Sequence, residues 1–490
     1  MKNRLIFLTL LFTIFLASCG SSSPRPPLTF KVSPDKVTLF GNERIQVSVK
    51  NFPLSEGIRA YICGHPLYDV RVTESGFTGN VPGCPEEGWQ NLIIENGEEK
   101  IVLKRAVKFF SPYPLFRSFT SIGASYTAGF INLGLDKEDQ LFSPFAQVAR
   151  QAGAYFPQPL IKDGFFTAIT LKDLRENGCR PPDLAKSYVV NLLKSVSKLK
   201  KDGNFPLSQA RIDPYLKVFN LGIGAARISD SIYGAAKSNN ALIGIFEHLT
   251  YDPFVDIWES FSDPPEGSPF EVALRRNTEY ILTVDLFADD ILYWHFAQLF
   301  NIPLSPGITT PETFKKILNK FFKIASDHGK KIFIADLPDI TQLPAIEVLG
   351  TYLKEIGFSE ESINSLYNGL REDVRKYNSI FYSLVSSYPN VYAVPFSSTV
   401  EMYAKGVTID GKIYTFSYLG GLISLDGIHP TRTGYALIAN MFIERINQIL
   451  GLQIPLIDID SIAKTDPMNL SRIRGKINIA RCREEFYEGE

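Results

Sequence analysis

Arg117-Ser118-Phe119-Thr120-Ser121-Ile122-Gly123-Ala124-Ser125-Tyr126-Thr127-Ala128-Gly129 is a short apolar run that stops at a serine set between glycines. The run reads as a strand, and the Gly-flanked serine reads as the loop at its end. Four similar runs follow at residues 216–224 (LKVFNLGIG), 278–287 (TEYILTVDLF), 330–338 (KKIFIADLP) and 390–396 (NVYAVPF). Between and after them stand segments with helical spacing: 145–156 (FAQVARQAGAYF), 188–200 (YVVNLLKSVSKLK), 311–329 (PETFKKILNKFFKIASDHG) and 434–450 (GYALIANMFIERINQIL). Strand alternating with helix predicts a parallel sheet covered on both faces, an α/β domain over residues 113–450. Residues 451–490 read as an irregular tail.

Upstream the period changes. Ile45, Val47 and Val49 alternate with Gln46, Ser48 and Lys50, so one face of a strand is apolar. Asn96-Gly97 separates QNLIIE from EEKIVLKRAVKFF, a dipeptide suited to a tight hairpin. Residues 28–112 therefore predict a small all-β domain, roughly an Ig-like sandwich, closed by the Ser111-Pro-Tyr-Pro114 turn. Either a spacer or a binding module fits it.

The first eighteen residues carry Lys2 and Arg4 ahead of an apolar stretch, Leu5 to Ala17, which is too short for a comfortable membrane span and has the flanks of a secretory signal. Leu16-Ala17-Ser18-Cys19 resembles the bacterial lipobox, which implies lipidation of Cys19 and anchorage to a membrane. Gly20 in place of Asp points to the outer membrane of a cell envelope, facing periplasm or cell surface, and residues 19–27 form a polar, Pro-rich tether. In that oxidising setting the remaining Cys63, Cys84, Cys179 and Cys482 suit disulfides. Three pairings are possible; Cys63 with Cys84 within the small domain leaves Cys179 with Cys482, and free buried thiols are the alternative.

With 51 Lys+Arg against 52 Asp+Glu, no basic field exists to hold a nucleic acid. The five histidines never stand at metal-ligand spacing, so neither a metal nor another cofactor is expected. One of them, His429, has Asp426 three residues before it on a Gly- and Pro-containing loop. A serine needs a base to become nucleophilic, and the base needs a carboxylate to fix its tautomer. Ser125, His429 and Asp426 are the candidate triad.

From Leu115 to Leu450 the chain resembles the SGNH, or GDSL-type, hydrolases: esterases, lipases and carbohydrate deacetylases on a three-layer, flavodoxin-like α/β/α fold. Gly123-Ala124-Ser125-Tyr126-Thr127-Ala128-Gly129 matches the first block, Asn220 to Arg227 the second, and Asp426-Gly427-Ile428-His429-Pro430 the fifth. The resemblance implies Ser125 as nucleophile, His429 as base, Asp426 as its orienter, and the backbone of Ser125 and Gly224 as oxyanion donors. It departs at Ala124, where the family has Asp, and at Phe287-Ala288-Asp289-Asp290, where the family's third block, GxND, would put Asn at position 289. An ionised Asp289 cannot donate to an oxyanion, and losing one such donor costs about 10² to 10³ in rate. A protonated Asp289 could donate through O–H; alternatively the backbone donors suffice.

The implied activity is hydrolysis of a carboxylic ester, in a lipid or an acetylated envelope glycan. The alternative is a catalytically weak surface lipoprotein that binds a glycan or protein on the same fold. Phe246, Tyr251, Phe254, Trp258 and Phe261 crowd an apparent insertion, as a lid, an acyl-binding wall or ordinary core.

Overall fold

The computed structural model describes residues 28–488, apart from 53, 164–165, 167–168, 200–202, 235–240, 258–259, 261–264, 266 and 292–308. The chain forms two compact units: one holds residues up to 37 together with 43–81 and 89–108, and the other holds 38–42, 82–88 and everything from Phe109 onward. The proposed signal, tether and Cys19 lie outside the described residues.

The first unit is all β. Strands β1 (Thr29–Ser33), β2 (Lys36–Thr38), β3 (Arg44–Lys50), β4 (Arg59–Ile62), β5 (His65–Pro66), β6 (Tyr68–Thr73), β7 (Gly76–Asn80), β8 (Gly88–Asn96) and β9 (Glu99–Phe110) form two sheets, ordered β1-β3-β7-β6 and β2-β9-β8-β4-β5. In β3 the expected alternation holds: Ile45, Val47 and Val49 are buried and Gln46 is exposed. The β8–β9 hairpin turns one residue later than the Asn-Gly dipeptide suggests. Asn96 ends β8, and Gly97 opens the turn at φ +61°, a conformation glycine adopts without the clash a side chain would bring.

In the second unit β10 (Phe119–Gly123), β11 (Asn220–Gly222), β12 (Tyr280–Thr283), β13 (Lys331–Ala335) and β14 (Val391–Val394) make a sheet ordered β11-β10-β12-β13-β14, with every neighbouring pair parallel. Both faces are buried, as a parallel sheet requires. Tyr280, Leu282 and Phe333 pack with the helices Pro144–Ala152, Phe396–Tyr403 and Arg432–Leu450; Ile281, Ile332 and Ile334 pack with Ile228–Tyr233, Pro269–Arg275, Pro311–Asp327 and Glu360–Val385. Numbered along the chain, the order is 2-1-3-4-5. Its topological switch falls between β10 and β12, where open α/β sheets leave a crevice at their carboxyl ends.

The C-terminal segment is not irregular. It forms helices Ile459–Thr465, Leu470–Arg474 and Ile479–Glu488, each too short to show helical periodicity in the sequence; Asp458 and Asn469 cap the first two. Ala463, Ile473, Cys482 and Phe486 enter an apolar cluster with Tyr418 and Leu425. Phe486 stacks on Tyr418 at 3.7 Å between ring centroids, and Cys179 is bonded to Cys482. Cys63 and Cys84 are also disulfide-bonded. Among the described residues no helix is long and apolar enough to cross a membrane.

The Cys179–Cys482 bond ties positions 303 residues apart. Cys482→Ser is expected to lower unfolding stability by roughly 2–4 kcal/mol, read as a lower denaturant midpoint against wild type in non-reducing buffer.

Candidate active site

Ser125 opens a four-residue helix, Ser125–Ala128, directly after β10. Gly123 reaches this turn at φ +149°, and a Cβ there would meet an Asp285 carboxylate oxygen at 2.4 Å. That carboxylate, from the loop after β12, holds the turn: it accepts hydrogen bonds from the amides of Ala124 (2.9 Å), Tyr126 (2.7 Å) and Thr127 (3.3 Å) and from the Thr127 hydroxyl (2.6 Å). Ala124, at the N-cap position, offers no side-chain cap of its own. A carboxylate from the loop after the neighbouring strand thus serves the turn where the family pattern would place an Asp in the turn itself. Burial pushes the Asp285 carboxyl above its ordinary value, and the hydrogen bonds from Thr127, Ala124 and Tyr126 pull against that rise. In the sequence Asp285 is a lone acid just past a strand, with nothing to mark it.

β11 is keyed to the same turn. The buried Asn220 amide donates to the Thr127 carbonyl at 3.0 Å, and its oxygen accepts from the Ser121 hydroxyl and the Gly222 amide, each at 3.1 Å. Gly222 must lack a side chain, because a Cβ would meet the Ala128 amide nitrogen at 2.4 Å. Gly224 follows two residues later, against the Phe130 ring.

The second half of the site is the loop before the Arg432–Leu450 helix. Asp426 accepts from the amides of Ile428 and His429, both at 2.8 Å, with one carboxylate oxygen. Its other oxygen lies 2.7 Å from His429 Nδ1 and accepts from the Leu133 amide at 2.6 Å. A carboxylate can only accept, so Nδ1 carries the proton and Nε2 is the basic nitrogen. Burial alone would raise the Asp426 pKa, but the His429 charge and the hydrogen bonds from His429 and Ile428 outweigh it and hold the carboxyl below the ordinary range. Asn132 and Leu133 both have positive φ, 56° and 59°. These uncommon conformations aim the two amides at Ser424 Oγ and Asp426. Neither residue has a signal in the sequence.

The two halves meet through Tyr126. Its hydroxyl donates to the Ile428 carbonyl at 2.6 Å, and its ring lies 5.8 Å from the His429 ring. Phe130 also stacks on His429, at 5.8 Å, and Phe246 packs edge-on against Phe130. Of the aromatic insertion, Phe246 reaches the site's surroundings, Tyr251 bonds to the Gly267 carbonyl, and Phe254 is exposed beside Tyr215. Trp258 and Phe261 lie outside the described residues.

Asp289 stands with Ser125, Tyr126, Asp285 and Ala288 on the wall of one cavity. Burial raises its carboxyl well above the ordinary range, and Asp285, Asp290 and Asp230 raise it further. The nearby cation, Arg227, is engaged by Asp230 at 3.0 Å. Asp290 is itself pushed up to about 7, chiefly by burial. Among the described residues no group of three or more His, Cys, Asp or Glu side chains is arranged to hold a metal ion.

Comparison with known proteins gives one strong result. Residues 122–442, more than half of the chain, match the family described as GDSL-like lipase/acylhydrolase. No curated protein matches significantly. Among solved structures, one described as a polysaccharide lyase aligns over 74% of this chain and 41% of its own, at 13% identity and a TM-score of 0.14. This chain therefore spans less than half of that protein's length, and so weak a likeness carries no argument. The family match begins on the strand that leads into Ser125 and runs past the loop that bears His429, and the chain belongs to the GDSL-like lipase/acylhydrolase family.

Proposed function

We propose that the protein is a serine hydrolase of carboxylic esters, with Ser125 as nucleophile, His429 as general base and acid, and Asp426 as orienter. Family membership supports ester hydrolysis in general. The observation that carries the assignment of residues is the 2.7 Å contact of His429 Nδ1 with a buried carboxylate, on a loop hydrogen-bonded to the residue next to Ser125. In the proposed reaction Ser125 Oγ bonds to the ester carbonyl carbon while its proton passes to His429 Nε2. The carbon–oxygen ester bond then breaks, and the departing alkoxide takes that proton. Water, deprotonated by the same nitrogen, cleaves the acyl-enzyme and returns free acid and serine.

The negative oxygen of the tetrahedral intermediates needs donors. The amides of Ser125 and Gly224 are the backbone candidates, and Asp289 is the side-chain candidate. Three neighbouring acids and burial favour the neutral carboxyl, which donates through O–H as Asn would through N–H. The sign of the pH dependence follows. Below the raised pKa Asp289 is a donor; above it the group is a second negative charge beside the oxyanion, so the rate falls as pH rises through that pKa.

We further propose that Cys19 anchors the enzyme by lipid to a membrane of the cell envelope, that nucleic acid is not among its partners, and that the all-β unit is a spacer or binding module. Were the cleft catalytically silent, the same fold would serve as a binding module for a glycan or protein.

The direct test is p-nitrophenyl butyrate turnover by the full-length protein. Ser125→Ala is expected to lose at least 10³-fold in kcat, and Asp426→Asn about 10⁴-fold through the wrong imidazole tautomer; equal rates for wild type and Ser125→Ala would favour the binding module. Asp285→Ala is expected to lower kcat about 10²-fold with KM little changed, since it displaces the nucleophile rather than the substrate; a change confined to KM would contradict the positioning role. Asp289→Asn is expected to stay active and to lose the alkaline decline in kcat that wild type shows. Retention of that decline would assign it to another group.

A further inference from the structure

The cavity that Ser125 and Asp289 share runs inward between the end of β13 and the helices Phe396–Tyr403 and Arg432–Leu450, and its volume is about 100 Å³. Leu337, Ile340, Val400 and Leu437 are among its walls, which are overwhelmingly apolar. Its polar groups near the nucleophile have partners or proposed roles already: the Asp285 carboxylate is occupied by the Ser125 turn, and Asp289, which shares the cavity wall with Ser125, is the side-chain oxyanion donor of the reading above. Ile428 and Pro430 line the cavity, whereas His429 between them does not. The chemistry gives this asymmetry a meaning. The leaving alkoxide must depart beside His429 to receive its proton, so the acyl part of the ester extends away from the imidazole, toward Asp289 and the cavity.

We infer that this cavity is the acyl-chain site and that the substrate is an ester of a short aliphatic acid, longer than acetyl. The inference rests on the serine-hydrolase reading above and names its substrate class. An apolar cavity of roughly 150 Å³ accepts a six-carbon ring, so this one, at about 100 Å³, has room for an acyl chain of roughly four carbons. An acetyl group would leave the walls unfilled, and a long chain would not fit. Each methylene transferred from water to such walls is worth about fourfold in kcat/KM.

The test is the chain-length profile of the full-length protein on p-nitrophenyl acetate, butyrate, hexanoate and palmitate, with Ser125→Ala as reference. Expected is a kcat/KM for butyrate at least tenfold above acetate, falling for palmitate. Val400→Trp, which fills the cavity, should bring the butyrate-to-acetate ratio down at least tenfold. Val400→Ala, which enlarges it, should move the optimum to a longer chain and decides the matter if the tryptophan variant fails to fold. A wild-type preference for acetate, or the same profile in wild type and a folded Val400 variant, overturns the acyl site while leaving the hydrolase reading intact. No turnover of any of the four esters above the Ser125→Ala rate overturns the hydrolase reading and this inference with it.

Discussion

The Asp285 carboxylate accepts four hydrogen bonds from the turn that carries Ser125, and much of the site's geometry depends on that grip. It sets the end of β12 against the end of β10, at the point where the strand order reverses. A carboxylate with so many donors is held in place, and it places the serine in turn. The arrangement also has an electrostatic consequence. Burial, reinforced by the neighbouring Asp285, Asp290 and Asp230, makes ionisation of Asp289 unfavourable, so the residue that departs from the family pattern sits where its neutral form is favoured. Ala124 and Asp289 are then linked departures: one acid is supplied from the loop after β12, and its presence helps to disfavour ionisation of a second.

The Asp426 side has the opposite balance. It faces His429 and accepts from three backbone amides, and its pKa lies below the ordinary carboxylate range. Its stabilising contribution is therefore present above the unfolded value of about 3.9 and is lost as pH falls through the lower folded value. The loop is braced from behind by the C-terminal helices: Phe486 stacks on Tyr418, whose hydroxyl donates to the Leu425 carbonyl. Gly427 fits against Phe486, since a Cβ there would approach its ring to 3.1 Å.

The five strands of the parallel sheet were legible because each is a short apolar run buried on both faces; the place of Ser125 just past a strand and the contact of Asp426 with His429 were legible from a Gly-flanked serine and from a three-residue spacing on one loop. Asp285 was not legible. Its role arises from the adjacency of β10 and β12, about 160 positions apart in the chain, and no local pattern encodes that. Asn132 and Leu133 act through backbone amides in uncommon conformations, which side-chain chemistry does not announce. The C-terminal helices escaped because none exceeds ten residues, and a turn or two of helix shows no period. The Asn96-Gly97 signal located a hairpin but misplaced its turn by one residue, since only the glycine adopts positive φ.

The account stands on Ser125 being made reactive by His429. Reaction of the full-length protein with a fluorophosphonate, followed by peptide mass mapping, measures that reactivity at the residue itself. The account predicts an adduct on Ser125 that forms in wild type and is slowed at least 10²-fold in His429→Ala. An unmodified Ser125, or equal labelling rates in the two proteins, would contradict it.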